Sequence, residues 1–498
     1  MKTYRPYVPT QAYLLPPSPA DWLPEGHLAY FVLELVADLD LSAIERVLQA
    51  KDPRGERPYS PRMMTALLLY AYAVGVFSSR KMERATFEDV AFRVLAGGEH
   101  PHFTTVNEFR ARHREALAGL FGQLLRECQS AGLVKLGHVA IDGTKMKANA
   151  SKHKAMSYDR MNKDEARIAA EVEALLARAE AVDAAEDELY GVGQAPLDLP
   201  AELQRREDRV RKIREVREAL KKGTAAARAA ELRRQADELR VKAGDPSRSP
   251  PKRSEAATLA KKRDQLALAL DGEDRDPPSD DADDDLPRNS PPSTPDGTPA
   301  PRAQRNFTDP DSRIMLRDGT YLQAYNAQIA VDEEHQIIVA AAVSNQSTDV
   351  EYFEPMLNRI VDNCDAVPER TTADSGYFSA ANVHAAEHMG AEPFIAVGKH
   401  RNDGGPVAQS ALPHHQTSER LAMRARLDTA AGRRAYARRK QTVEPVFGQM
   451  RACRNFRQFS FRGLFKNRCE WLFVCLTHNL LKLFRAPARC RPAALAAG

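Results

Sequence analysis

Three carboxylates lie where the sequence could build a site for hard metal ions. Asp142 ends the apolar run HVAID, and Asp374 ends TTAD just before the turn-forming pair Ser375-Gly376. Carboxylates at the ends of neighbouring strands face the same rim of a sheet. Glu444 comes much later, within RRAYARRKQTVEPVFGQMR.

The segment around Glu444 is strongly basic. Residues 433–468 contain eleven Lys or Arg and only this one acid. At helical spacing Tyr436, Lys440, Glu444 and Arg451 share one face, which favours a phosphate-binding surface. Pro445 follows the glutamate directly and predicts a kink there, since proline removes a backbone donor.

Such an arrangement suits two-metal cleavage of a phosphodiester. Carboxylates from separate elements hold two divalent ions about 4 Å apart, one activating water and one stabilising the leaving oxygen. Hard oxygen ligands favour Mg²⁺, with Mn²⁺ as the substitute. Taken singly, each acid also has an ordinary explanation: a strand-end Asp commonly caps a turn, and a Glu in a basic helix commonly forms an intrahelical ion pair.

The elements that would position these acids follow an α/β order. A strand is predicted from Leu136, two more from Tyr321 joined at Asp332-Glu333-Glu334, then a helix from Asp349 and a strand ending in TTAD. A helix over Ser379 to Met389, the strand PFIAVGK, a basic helical region over about 419–452 and a packing helix over Glu470 to Phe484 complete the order. We predict an α/β domain over residues 136–151 and 306–485, with a tail at 486–498.

Residues 1–135 predict an all-α domain. Met63 to Phe77 is apolar on nearly every face, as in a buried helix, and two shorter helices are predicted from Thr86 and from Thr105. Such a pair can present a helix to a DNA groove, and its basic candidates for DNA contact are Arg80, Lys81, Arg110, Arg112 and His113. The alternative is a helical bundle with a solvated basic face.

Residues 152–305 interrupt the α/β order with a charged insertion. Leu203, Val210, Ile213 and Leu220 approximate a heptad stripe, which predicts a helical hairpin or short coiled coil. Residues 271–285 carry nine acids against one arginine, and residues 277–301 contain eight prolines. This composition predicts a flexible linker. Its acids also mask basic surface elsewhere in the chain.

Whole-chain composition excludes several classes of protein. The 498 residues are 43% hydrophobic, and 72 Lys plus Arg stand against 68 Asp plus Glu, a net charge of +4. Six scattered cysteines without a C-x-x-C pair fit neither a zinc ribbon nor a disulfide framework. No signal peptide and no run long enough to span a bilayer is seen, so we expect a cytoplasmic, nucleoid-associated protein without a membrane role.

Several longer motifs carry a family resemblance. IDGTK, TTADSGY and a Y…R…E…R helix ending in VEPVFGQM resemble the DDE transposases of bacterial insertion sequences, in the group with a Tyr-Arg-Glu-Lys pattern. DWLPEGHLAYFVLELV, TTVNEFRARH, TDPDSRIM and YNAQIAVD are similar to other parts of that family. The resemblance covers about residues 5–150 and 306–484. Two departures stand out: Arg451 replaces the usual lysine, and the spacing from Arg439 to Glu444 is one residue longer.

The resemblance implies an RNase-H-like catalytic domain with Asp142, Asp374 and Glu444 as its metal-binding triad, holding two Mg²⁺ or Mn²⁺ ions. It implies double-stranded DNA as partner, both the terminal inverted repeats and the target, with a homodimer in the synaptic complex. Near the triad, the DNA-contact candidates are Lys145, Lys147, Tyr436, Arg439, Lys440 and Arg451.

We therefore expect a transposase that nicks DNA by hydrolysis and uses the 3′ hydroxyl for strand transfer. Two alternatives remain open at this point. One is an RNase-H-like nuclease without strand transfer, which would give nicks and no joined products. The other is a non-catalytic DNA-binding or scaffold protein, in which the insertion mediates association.

Overall fold

The computed structural model describes residues 21–50, 57–190, 201–245, 247, 249–271, 290–398 and 417–487. Seven helices precede the first strand: α1 (Leu28–Asp38), α2 (Ser42–Gln49), α3 (Pro61–Ala73), α4 (Ser79–Glu88), α5 (Val90–Leu95), α6 (Phe103–Arg112) and α7 (Arg114–Ser130). The helix predicted from Thr86 is two helices, because Asp89 caps α5 through the N–H groups of Ala91 and Phe92. The helix predicted from Thr105 is likewise divided, at His113.

The buried helix α3 was predicted correctly, and its partners explain its composition. Every residue from Met64 to Ala73 is buried. The helix packs against α1 and against the C-terminal helix α15 (Leu464–Arg485), whose apolar face is equally covered. Tyr72 meets Phe473 edge-on at 4.9 Å between ring centroids. One continuous hydrophobic cluster thus joins the N-terminal helices to the α/β part, while the domain limit at residue 135 stays a prediction.

A mixed six-stranded sheet forms the centre of the α/β part. Its strands are β1 (Val139–Lys147), β4 (Arg313–Arg317), β5 (Thr320–Asp332), β6 (Ile338–Ser344), β7 (Arg370–Ala373) and β8 (Glu392–Ile395). The long β5 pairs antiparallel with β1 on one side and with β6 and β4 on the other, and β1, β7 and β8 run parallel. The spatial order β6-β5-β1-β7-β8 is that of an RNase-H-like sheet, as the sequence predicted.

Helices cover the sheet on its flanks. A 3₁₀ turn at Val350–Tyr352 leads into α11 (Phe353–Cys364), and α12 (Ala380–Met389) follows β7, capped by Ser379. The long basic helix predicted over 419–452 is α13 (Ser418–Asp428), α14 (Ala430–Gly448) and a π-helical turn at Gln449–Cys453. Residues 399–416, between PFIAVG and α13, lie outside the described part. No helix of the described part is long and apolar enough to cross a lipid bilayer.

The insertion forms three long helices, which we call the arm: α8 (Tyr158–Tyr190), α9 (Ala201–Gly244) and α10 (Pro250–Asp271). Val210, Ile213 and Leu220 of the predicted stripe are buried. Arg214 and Arg217 of α9 both bind the carboxylate of Glu165 on α8. Helices α8 and α9 thus pack along one another, while a coiled coil stays a prediction.

The proline-rich end of the insertion differs from the prediction. Residues 272–289, with most of the acidic tract, lie outside the described part, but residues 290–301 are placed and were wrongly predicted as flexible linker. Gly297 lies at φ +84° with Leu270 and Ala225 of the arm so close that a Cβ would meet them. A two-stranded ribbon of β2 (Ala155–Ser157) and β3 (Gln304–Asn306) joins the arm to the sheet.

Candidate active site

The parallel pairing of β1 with β7 brings two of the predicted acids to one rim. Val139 lies opposite Thr371 and Ala140 opposite Thr372. Continuing that register by two residues brings Asp142 toward Asp374, and the negative charge of Asp374 acts on the Asp142 carboxylate. Asp142 is not at the end of its strand, because β1 continues to Lys147 along β5. It lies two residues beyond the last residue of β1 that pairs with β7.

The Asp142 carboxylate is nearly enclosed and has two partners. Its Oδ1 accepts the N–H of Gly143 at 2.8 Å, and its Oδ2 accepts Nη1 of Arg439 at 2.8 Å. Burial raises the pKa of Asp142 to about 6, and the negative charge of Asp374 adds to the rise, whereas Arg439 and the Gly143 N–H oppose it. One guanidinium thus compensates the charge only in part.

Asp374 is positioned by the turn that ends β7. Its Oδ1 accepts the N–H of Gly376 at 2.8 Å, so the side chain caps the 3₁₀ turn Ser375–Tyr377. Asp374 thus caps a turn, which is the ordinary role of an aspartate at a strand end. A carboxylate that caps with one oxygen keeps further lone pairs for a second ligand.

Glu444 does not join the two aspartates. Arg439 is the residue of α14 that turns inward to Asp142, and a position five residues later lies about 140° around a helix. Glu444 is accordingly exposed. Among the described residues, no three His, Cys, Asp or Glu side chains form a group that could hold a metal ion. The two aspartates fit a hard divalent cation, but the complete predicted triad is not assembled here.

Pro445 leaves a gap in the hydrogen bonding of α14 without ending the helix. It lacks the N–H that would bind the Gln441 carbonyl, and Gln336 Nε2 of the β5–β6 turn donates to that carbonyl instead, at 3.0 Å. The π-helical turn begins four residues later and carries Arg451. The predicted irregularity therefore appears as this turn rather than as a break at Glu444.

Several cationic candidates near the acids have partners within the fold. Arg439 is 8% exposed and ion-paired with Asp142, and its guanidinium also lies 5.7 Å from the ring of Tyr436. Lys145 binds the Asp349 carboxylate at 3.0 Å. The prediction that Arg439 and Lys145 contact DNA directly is thus contradicted, because both side chains bind carboxylates of the fold. Lys147 and Lys440 are exposed.

Arg451 keeps a half-buried guanidinium beside the rim. Burial lowers its pKa, the like charge of Arg317 lowers it further, and Asp318 and Asp142 act in the opposite direction. Arg317, at the end of β4, donates to the Lys145 carbonyl at 2.9 Å. Arg451 therefore lies near Asp142, with Arg317 beside it, and Arg317 was missed because the β4 edge strand was not predicted.

A second carboxylate network under the rim was also missed. Asp349 accepts bonds from Lys145, from Asn326 Nδ2 at 2.7 Å and from Gln328 Nε2 at 2.9 Å, and Tyr377 donates to Gln328 Oε1. A Cβ on Gly143 would overlap the Gln328 amide, so glycine is required there. The signal was available: Asn326 and Gln328 alternate within an otherwise apolar strand.

The N-terminal candidates divide into two groups. Arg80, Lys81 and Arg112 are exposed, and Arg80 stacks on Phe103 at 4.8 Å. Arg110 and His113 are 8% and 3% exposed, which contradicts their assignment as DNA contacts. Arg110 instead donates to Tyr72 Oη and to the Phe77 carbonyl, both at 3.0 Å.

Comparison with protein families agrees with this architecture. Residues 296–480 match the family model Transposase DDE domain, and residues 17–112 match Transposase domain (DUF772). The first match includes Asp374 and Glu444 and leaves out β1, which the sheet places beside β7. No curated protein and no solved structure matches the chain significantly. Both matched families act in DNA transposition, and together they show that the chain belongs to the DDE transposases of the insertion-sequence type.

Proposed function

We propose that this protein binds the terminal inverted repeats of its element, hydrolyses a phosphodiester at each end and joins the freed 3′ hydroxyl to target DNA. The observation that carries the proposal is the proximity of Asp142, on β1, to Asp374, directly after the adjacent parallel strand β7, with the pKa of Asp142 raised to about 6 by burial and by the Asp374 charge. A buried carboxylate with another beside it is short of positive charge. Divalent ions supply that charge in metal-dependent phosphoryl transfer.

Asp142 and Asp374 would hold Mg²⁺ or Mn²⁺, because carboxylate oxygens suit these hard divalent ions. When bound, two ions would activate the attacking water and stabilise the leaving oxygen. Glu444 would complete the ligand set after a rearrangement of α14 that carries its carboxylate toward the rim. Arg439 holds the Asp142 carboxylate in place, and the Asp349 network fixes the turn that bears Asp374.

Recognition of the element ends is assigned to the exposed cations of the N-terminal helices. Arg80 and Lys81 begin α4, and Arg112 ends α6. Arg112 also lines an open cavity of about 890 Å³ with Arg57, Glu99 and Glu108. Exposed arginines and lysines suit the phosphate contacts that fix a protein on a duplex. A homodimer would supply one active site for each end.

The test uses the full-length chain and the DNA that flanks its gene on both sides. Asp142→Asn, Asp374→Asn and Glu444→Gln should each lower Mg²⁺-dependent nicking and joining by at least about 1000-fold, since each removes a metal ligand worth several kcal/mol. Asp362→Asn, an exposed acid of α11, is the matched control and should keep full activity. Binding to the flanking DNA should be retained in every variant.

Three results would change the proposal. Full activity of Glu444→Gln would remove Glu444 from the ligand set. Nicked products without joined products would favour the nuclease without strand transfer. Equal loss of DNA binding and of cleavage in Asp142→Asn would indicate a folding role for that residue, and wild-type protein without either activity would favour the scaffold.

A further inference from the structure

Three arginines converge on one cavity where the arm meets the sheet. Arg302 precedes β3, Arg305 lies on β3 and Arg313 begins β4, and all three line a cavity of about 160 Å³. We call this cavity the arginine pocket. Its remaining walls come from Ala155, Pro291, Pro292, Gln304, Asn306, Ser312, Ile314 and Gln323, and no carboxylate is among them.

The positive charge of the arginine pocket has no ion-pair partner in the described part of the chain. No carboxylate oxygen of those residues lies within 4.0 Å of a guanidinium nitrogen of Arg302, Arg305 or Arg313. Arg313 donates only to the carbonyls of Pro310 and Ser312, at 2.7 and 3.0 Å. The charge of Asp311 acts on both Arg305 and Arg313. Its Oδ2 accepts the N–H of Leu464 at the start of α15.

Burial makes this accumulation of charge costly. It lowers the pKa of both Arg305 and Arg313; the charge of Asp311 opposes the shift at both, and the like charge of Arg305 lowers the pKa of Arg313 further. Partly compensated buried cations are stabilised when a further anion joins them. A guanidinium offers its donors in a planar fork that matches the oxygens of a phosphate. The pocket is thus built for a phosphate group.

The strand β4 connects this pocket with the catalytic rim. Arg313 and Arg317 lie on the same face of β4, since strand positions two and four residues apart share a face. They are about 13 Å apart at 3.3 Å per residue. Arg317 in turn lies beside Arg451, whose charge interacts with that of Asp142. DNA that crosses the rim would therefore meet a second cationic position, the arginine pocket, at the other end of β4.

We propose that the arginine pocket binds a backbone phosphate of the DNA strand whose scissile phosphate lies at Asp142 and Asp374. This inference rests on the proposed function, because it takes DNA as the substrate of the rim. The arm contributes to the site, since Arg305 Nη1 lies against Gly223 of α9. The pocket therefore couples the placement of DNA to the arm.

The test compares DNA affinity of full-length R302Q/R305Q with that of the wild type across a salt series, by fluorescence anisotropy on the flanking DNA without divalent metal. Loss of one phosphate contact should reduce the slope of log K against log salt by about 0.9 and weaken binding by about five- to tenfold. The matched control R211Q/R234Q removes the same charge from exposed positions of α9, and its affinity and slope should equal those of the wild type.

Folding and ligand source are checked in parallel. The melting temperature of R302Q/R305Q should equal or exceed that of the wild type, because Arg302 is exposed and Arg305 is a half-buried cation without an ion-pair partner among the described residues. An unchanged salt slope in a folded variant overturns the proposal, as does a pocket that binds inorganic phosphate while DNA affinity is unaffected. A melting temperature that falls in the full chain, but not in a chain lacking 272–289, would assign the pocket to that acidic segment and also overturn it.

Failure of this inference differs from failure of the proposed function. If the wild type cleaves and joins DNA while R302Q/R305Q binds DNA normally, only the pocket assignment is wrong. If the wild type neither cleaves nor joins DNA, the proposed function is wrong, and the salt series still measures whether the pocket contacts DNA.

Discussion

Two regions of this transposase bury charged side chains, and they treat them differently. Between α3, α6 and α15, Tyr72 donates to Glu470 Oε1 at 3.0 Å and accepts from Arg110 at 3.0 Å, so a cation and an anion share one hydroxyl. At the catalytic rim, Asp142 is ion-paired with Arg439, and its pKa is nevertheless raised by burial and by the charge of Asp374. The first region holds its charges in a closed network, whereas the second keeps two carboxylates close together.

The difference separates a structural use of charge from a functional one. The helix interface is completed by the protein alone: Glu470 Oε2 also accepts the Ser460 N–H at 2.7 Å, and Arg110 stacks over Phe461 at 4.8 Å. Under the proposed function, a divalent ion bound at the rim would add positive charge beside Asp142 and Asp374. Burial of a charge therefore indicates function only where its compensation is incomplete.

The largest expected effect lies in the balanced region. Glu470→Gln should lower the free energy of unfolding by about 3 to 5 kcal/mol, because it leaves the buried Arg110 cation without its anion. Chemical denaturation of both proteins measures the difference. Glu88→Gln, which breaks the exposed pair with Arg84, is the control and should cost less than about 0.5 kcal/mol. Equal losses in the two variants would show that the interface does not depend on its charge balance.

Binding of Mg²⁺ at the rim should stabilise the folded protein. At a Mg²⁺ concentration of about 100 times Kd, the wild type should gain about 2.7 kcal/mol in unfolding free energy, since the ion binds only the folded state. Asp142→Asn should gain little, and the control Asp362→Asn should gain as much as the wild type. Thermal denaturation with and without Mg²⁺ measures the shift. A full gain in Asp142→Asn would place the ion elsewhere.

The sequence predicted the strands at the rim better than the buried side chains of the helix interface. The strands that carry Asp142 and Asp374 were predicted because HVAID and TTAD are short apolar runs that end in an acid. Arg110 and His113 were assigned to DNA from their charge, although Val106 and Phe109 lie on the same helical stripe and are buried. Their spacing therefore indicated an inward face that composition alone concealed.

Other features could not be predicted from local sequence. The β4 strand, RIMLR, alternates buried and exposed residues at the sheet edge and carries two arginines, so its pattern is weak. Glu444 lies at the predicted helical position, but the inward turn of α14 is set by Arg439 and by packing against β1, β5, β7 and β8. Tertiary packing decides which side of a helix faces the site.

The free energy of unfolding should fall with rising pH because of a group at the rim, and with falling pH because of a group in α15. The group at the rim is Asp142. The folded-state pKa of Asp142, about 6, exceeds its ordinary value of 3.8. Its contribution to stability is therefore present at low pH and lost as pH rises through 6. In EDTA the wild type should lose about 1.4 kcal/mol between about pH 5 and pH 7.5 relative to Asp142→Asn. Parallel pH profiles of the two proteins would contradict the raised pKa.

The smallest expected effect is the reverse response within α15. His478 is buried, its Nδ1 and Nε2 lie 3.0 Å from Gln449 Oε1 and 2.9 Å from the Gln336 carbonyl, and burial with nearby Arg454 lowers its pKa to about 3. Because this value lies below the ordinary 6.5, the fold holds the neutral ring, and stability present above 6.5 is lost as pH falls. Between about pH 7 and pH 6 the wild type should lose about 0.7 kcal/mol relative to His478→Gln, measured by urea denaturation. The exposed His388→Gln should follow the wild type, and a His478→Gln profile that also follows it would show that this histidine can be protonated inside the fold.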